Sequence, residues 1–176
     1  MPVKILIFVV IVVLGLAAFI ATRPAEFRVT RTATYAAPAP AVFAQVNELR
    51  KWEAWSPWAK KDPQIKHAYE GPAAGAGAVT SWVGNKDVGE GRMSIVESRP
   101  AELIRFKLEF FKPFTATHTA EFTFKPAGNQ TAVTWSMSGQ NNFIAKALHL
   151  VFDMDKMVGG DFEAGLASLK TIVDKK

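Results

Sequence analysis

The chain has no cysteine. Disulfide frameworks, thiolate metal sites and cysteine nucleophiles are therefore excluded, and the absence suits either side of a membrane. Histidine is almost as scarce, with only His67, His118 and His149. No H-x-x-x-H or H-E-x-x-H spacing pairs them as metal ligands, and no G-x-S-x-G supplies a nucleophile for a triad. A phosphate loop is missing too, because Gly89-Glu90-Gly91 lies inside a strand pattern with no helix after it. The expectation is a protein with neither metal nor cofactor. Basic residues outnumber acidic ones, 21 to 16, but they form no dense run. Without a basic stripe interleaved with aromatics there is no nucleic-acid interface. The net charge of +5 suits a solvated surface, or an anionic membrane or ligand.

Apolar sequence is what the chain has in quantity, at 49% of residues. From Ile5 to Ala21 run 17 consecutive apolar or glycine residues. That is the short end of what crosses a hydrocarbon core of about 30 Å. Lys4 makes a small n-region of the kind a signal peptide has. The run nevertheless exceeds an h-region of about 7–15 residues, and no clean A-x-A site comes after it. The reading is an uncleaved transmembrane anchor over residues 1–23, with Pro24 opening a short linker. Residues 24–176 then form one domain. Arg23, Arg28 and Arg31 after the span favour a cytoplasmic domain by basic-residue count. Short-tailed amino-terminal anchors commonly export the domain attached to them, and this domain is expected to be extracytoplasmic (periplasmic).

Phe27–Tyr35 reads as a strand, with Thr30, Thr32 and Thr34 alternating against Val29, Ala33 and Tyr35. Pro38 and Pro40 stop it. Val42, Phe43, Val46 and Leu49 come next at helical spacing. Three of the five tryptophans then fall within seven residues, as Trp52, Trp55 and Trp58. Trp52 and Trp55 share one face of a helical turn that Pro57 ends. Such a group either buries a helix against a sheet or lines the mouth of an apolar cavity.

From Gln64 onward the pattern is strands with punctuation every 8–12 residues: Ile65–Tyr69, Ala78–Val83, Val88–Ser98, Glu102–Phe111, Thr115–Lys125 and Thr131–Ser138. In the fourth of these, Ile104, Phe106, Leu108 and Phe110 face one way and Arg105, Lys107 and Glu109 the other. One wet and one dry side is the mark of an antiparallel sheet. His118 belongs to the dry set of the fifth strand, beside Ala116, Ala120, Phe122 and Phe124. Val133, Trp135 and Met137 make the dry face of the last.

The final stretch, Phe143 to Val173, reads as one helix of roughly 45 Å. Leu148, Val151, Phe152, Val158, Phe162, Leu166, Leu169 and Val173 recur at three- and four-residue steps. Asn142 is placed to cap its start, and Lys175 and Lys176 suit its carboxyl-terminal dipole. Asp155 interrupts the apolar face. Gly159-Gly160 sits mid-helix, where each glycine costs about 1 kcal/mol relative to alanine. Close packing against a strand, a bend, or room for a ligand would each account for the pair. One helix cannot cover six dry strand faces unless the sheet curls around it.

The order strand, two short helices, antiparallel meander, long last helix resembles the START-like or SRPBCC superfamily. The local wording resembles its polyketide cyclase/dehydrase-type branch. It rests on Ala37-Pro38 with Val42-Phe43, the Trp52–Trp58 cluster, Glu121-Phe122-Thr123-Phe124, Thr134 through Gly139, and Asp155-Lys156-Met157 before Gly159-Gly160-Asp161-Phe162. The resemblance covers about Phe27 to Val173 and leaves out the anchor. It implies an α+β helix-grip fold, a curved antiparallel sheet of about seven strands wrapped around a long carboxyl-terminal helix. It also implies a deep apolar cavity between the two. Members include carriers, sensors and cyclases, so the fold does not settle the activity. The cysteine and histidine pattern of ring-hydroxylating relatives is absent.

The expected ligand-binding residues are Trp55, Trp82, Phe106, Phe110, His118, Phe122, Trp135, Met137, Met154 and Gly159. His118 and Asp155 are the candidates for acid–base work on a carbonyl substrate, with Glu90 and Arg92 as further polar groups that could face the cavity. Each also has a structural reading, His118 as a hydrogen-bonded core histidine and Asp155 as an ion-pair partner or cap. The expected function is a membrane-anchored domain binding an apolar or amphipathic small molecule, such as a lipid, quinone or polyketide-like compound. A cyclase or dehydratase using the same cavity is the alternative. A structural or interaction module with a filled core is the third.

Overall fold

A computed structural model describes residues 2–174. Helix α1 spans Pro2–Ala21, and of its side chains only Ile20 is buried. Strand β1 (Glu26–Tyr35) leads to helix α2 (Ala39–Asn47), a 3-10 helix over Leu49–Ala54, and the short helix α3 (Pro57–Lys61). Six strands come next: β2 (Lys66–Glu70), β3 (Val79–Val83), β4 (Glu90–Arg99), β5 (Leu103–Lys112), β6 (Ala116–Ala127) and β7 (Gln130–Gln140). Helices α4 (Phe143–Leu148) and α5 (Met154–Val173) close the chain.

The strands make one antiparallel sheet in the order β1-β7-β6-β5-β4-β3-β2. Only the β1–β7 pairing is non-local, so the first strand completes the sheet beside the last. The sheet curves around α5, which gives the helix-grip architecture. Alternation decides what faces in: Ile104 and Phe106 on β5, Ala120, Phe122 and Phe124 on β6, and Val133, Trp135 and Met137 on β7 are all buried. Phe162, Leu166, Leu169 and Val173 come from α5 to meet them. Tyr35 Oη donates to the Leu166 carbonyl at 3.0 Å, and the Lys170 ammonium donates to the Thr34 carbonyl at 2.7 Å. These bonds fix α5 along β1.

The single helix expected over Phe143–Val173 is two helices. Asn142 does cap, accepting from the Ala145 amide at 2.8 Å, but it caps only α4. The chain turns after Leu148, and Asp153 caps α5 anew by accepting from the Lys156 amide at 3.1 Å. Asx residues compete with helix interiors for backbone donors, and here the second cap prevails. Leu148, Val151 and Phe152 consequently leave the buried stripe and are exposed. Lys175 and Lys176, expected to answer the α5 dipole, lie outside the described residues.

Candidate ligand-binding site

The tryptophan cluster fills the space under α5. The Trp52 and Trp55 indoles lie 4.5 Å apart between ring centres. Trp52 also meets Phe106, Phe122 and Trp135 edge-on at 5.5–5.8 Å. Trp135 stacks on Phe162 of α5 at 4.0 Å, nearly parallel at 9°. Trp55, Phe106, Phe122 and Trp135 are at most 2% exposed, and Met137 is 6% exposed. Five of the expected ligand-binding residues therefore belong to one buried cluster, and between sheet and helix the implied cavity is occupied by its rings. The Trp52 indole donates to the Val46 carbonyl at 2.8 Å, whereas buried Trp135 Nε1 has no partner among the described residues.

Trp82, Phe110 and His118 sit elsewhere, in a half-buried row across one end of the sheet. Trp82 and Phe110 are 5.9 Å apart, Phe110 and His118 5.7 Å, and His118 and Phe27 5.0 Å. Two strand glycines make the row possible. A β-carbon at Gly91 would overlap the Trp82 ring, and one at Gly139 would overlap His118. His118 Nδ1 is buried without a hydrogen-bond partner among the described residues. Burial lowers the His118 pKa, so the neutral ring is the favoured form.

Asp155 lies apart from His118. It is largely exposed and held by Arg31, whose guanidinium donates to its two carboxylate oxygens at 3.0 and 2.9 Å. The same guanidinium donates to the Asp155 carbonyl at 3.0 Å and to Glu163 at 2.5 Å. The Arg31 hydrogen bonds draw the Asp155 pKa below the ordinary carboxylate value, and those of Asp155 and Glu163 raise that of Arg31. Gly159 belongs to this cluster, since a β-carbon there would overlap the Arg31 guanidinium, while Gly160 faces open space. Gly159 alone of the pair thus makes room for an arginine. Glu90 and Arg92 share the β4 face opposite buried Met93 and Ile95, and they pair with Lys112 at 2.8 Å and Glu70 at 3.2 Å.

Met154, the remaining expected residue, lines a cleft of about 440 Å³ between the start of β1 and the α4–α5 junction. Phe27, Val29, Leu150, Val151 and Phe152 give it apolar walls, and His149, Asp153 and Asp155 give it polar ones. Arg28 borders it, but its guanidinium turns to the other face of β1, where it donates to Ser136 Oγ at 3.1 Å and lies 3.9 Å from Glu121. His149 approaches the Asn141 amide nitrogen at 3.2 Å through Nδ1. An amide nitrogen only donates, so Nδ1 is the acceptor in this contact. A second cleft, also about 440 Å³, lies by the edge strand β2 and is lined by Glu53, Ala59, Asp62, Pro63, Ile65, His67 and Tyr69. Among the described residues no three side chains are grouped to hold a metal ion.

Sequence reasoning missed Arg31 and the α4–α5 turn. Arg31 falls on the same side of β1 as Val29, Ala33 and Tyr35, and a charge at that parity was the available signal. The turn had no comparable signal, because Leu148, Val151 and Phe152 stay in phase with the helical stripe.

Residues 26–174 match the family model described as polyketide cyclase / dehydrase and lipid transport. No curated protein matches the chain. Among solved structures, protein CV1439 from Chromobacterium violaceum superposes with a TM-score of 0.60 at 15% identity, covering 86% of this chain and 99% of that one. The Aha1 dimer from Colwellia psychrerythraea gives 0.61 at 14% identity, covering 84% and 96%. The di-domain ARO/CYC StfQ from the steffimycin biosynthetic pathway gives 0.63 at 13% identity, covering 86% of this chain and 51% of that one. At such identities the likeness is one of fold.

Proposed function

The chain belongs to the polyketide cyclase/dehydrase and lipid-transport family, and we propose that it is a membrane-anchored binding domain for an amphipathic small molecule. The observation that carries this reading is the mixed lining of the cleft beside β1. A chain or ring system can lie on Phe27, Leu150 and Phe152, while a polar head meets the His149 imidazole. Apolar contact provides affinity at about 25 cal/mol per Å² buried, and the few polar groups fix orientation. A lipid, a quinone or a polyketide-like compound has this division of character.

The anchor reading rests on α1, which is long and apolar enough to cross a membrane and almost entirely uncovered by the domain. A signal sequence passes the same test of composition. Carbonate extraction separates the two, because a spanning helix stays with the membrane and a cleaved chain is released.

Binding without turnover is the favoured mode. General acid–base catalysis needs its groups within hydrogen-bond reach of one substrate. Here Asp155 is committed to Arg31, and His118 contacts Phe27, Phe110 and Gly139. A specific observation favours one other reading: the Trp135–Phe162 stack fills the space under α5, as in a module whose role is interaction alone. Titration of the full chain in mild detergent with a dansyl fatty acid decides between them. Saturable binding that Phe27→Ala or Leu150→Ala weakens at least about tenfold, roughly 1.4 kcal/mol, supports the cleft. Absence of saturable binding supports the filled module.

A further inference from the structure

We propose that the end of the domain nearest α1 rests on the bilayer, with the α4–α5 turn set among the lipids, so that the β1 cleft opens at the membrane interface. This rests on the anchored binding domain proposed above and names where its ligand enters.

The first support is the tether. Only Thr22–Ala25 separate α1 from β1, and four residues span at most about 14 Å. The end of α1 also touches α4, where the Lys146 ammonium donates to the Ala21 carbonyl at 3.2 Å and Ile20 is buried. A spanning α1 therefore puts α4 at the depth of the headgroups.

The second support is the distribution of apolar surface. The register pairs Glu26 with Gln140, His118 with Gly139, Phe110 with Ala116 and Glu90 with Lys112. The start of β1, the β5–β6 loop and the β3–β4 turn therefore lie at one end of the sheet, and α4 comes after β7 there. Apart from Val96, every large apolar side chain exposed on the described domain lies at this end or on the stretch from α4 to the first turn of α5 beside it. Val151 is 78% exposed, Ile144 64%, and Phe114, on the β5–β6 loop, 66%. The opposite end shows polar turns such as Gly128-Asn129 and Arg99–Glu102. A soluble surface seldom gathers its exposed apolar groups on one side without a partner. The bilayer is the partner already held against this side by the tether. Apolar side chains set into the boundary layer beside cationic groups are how monotopic surfaces bind lipid, and Arg23, Arg28 and Lys146 supply the cations here.

The third support is that Leu150, Val151 and Phe152 belong to both features. They are exposed on this surface, and they form the wall of the cleft. Lowering them into lipid places the cleft mouth at the interface, where an amphipathic ligand already resides.

The cysteine-free sequence makes the test direct. Full-length chain carrying I144C, V151C, N129C or V10C is labelled with bimane and reconstituted in phosphatidylcholine vesicles with brominated lipid. The expected result is quenching at positions 144 and 151 approaching that at position 10 and at least about threefold that at 129. Quenching at 10 alone overturns the docked face and leaves the anchor standing. Absence of quenching at all four positions removes the anchor and the docked face together. Labels at 144 and 151 shielded from both bromolipid and aqueous iodide mean that a second copy covers the face, which also overturns it.

Discussion

Trp135 of β7 and Phe162 of α5 lie ring on ring, 4.0 Å between centres and 9° from parallel. Both are at most 2% exposed. The stack joins the middle of β7 to the middle of α5, where an open cavity would otherwise lie. With that space filled, the proposed ligand site is the rim cleft between β1 and the α4–α5 turn.

Removing one ring tests that view. Phe162→Ala should lower stability by about 3–5 kcal/mol, the usual range for truncating a buried phenylalanine. Urea unfolding followed by tryptophan fluorescence measures it, because Trp52, Trp55 and Trp135 all lie in the buried cluster that the stack completes. A loss under about 1 kcal/mol would mean that α5 does not pack where the stack places it.

The two adjacent glycines of α5 should respond oppositely. Gly160 faces open space, so Gly160→Ala should stabilise by up to about 1 kcal/mol through helix propensity. Gly159→Ala must displace the Arg31 guanidinium and break its bonds to Asp155 and Glu163, and it should lower the melting temperature. Two shifts of the same sign would remove Arg31 as the reason for Gly159.

Acid should weaken the fold in two stages. Burial lowers the pKa of both His118 and His67. Below about pH 6.5, the ordinary histidine value, the unfolded chain then binds more protons than the folded one. Stability should be level above that pH and fall beneath it, and His118→Phe should flatten the fall below about pH 6.5. Asp155, held low by Arg31, adds a second loss below the ordinary carboxylate range. Melting temperature against pH for the chain and for His118→Phe tracks both stages, and an identical slope in the two would contradict the role given to His118.

The strands were legible because one dry face and one wet face impose period two, and β5, β6 and β7 show it over most of their length, with Leu103 and Ser136 the buried exceptions. Trp135 and Phe162 were legible as core for the same reason. Which core aromatics would line a cavity was not, since alternation reports the buried side of a strand and cannot report whether rings from α5 and the 3-10 helix meet across it. Asp155 looked like a polar group on an apolar face because its stripe position is real. Only the fold brings Arg31, 124 positions earlier in the chain, beneath it. The α4–α5 break escaped because Asp153 is an ordinary helix residue until its cap to the Lys156 amide is seen.

The central claim is that the cleft beside β1 holds an amphipathic molecule. Mass spectrometry of the small molecules that co-purify with the full chain in mild detergent tests it most directly, with Phe27→Ala and Leu150→Ala prepared in parallel. The account predicts one class of lipid-, quinone- or polyketide-like molecule retained by the unaltered chain and reduced at least about tenfold in both variants, consistent with the loss of roughly 1.4 kcal/mol of binding. Equal recovery from all three, or the same detergent-soluble mixture in each, would contradict it.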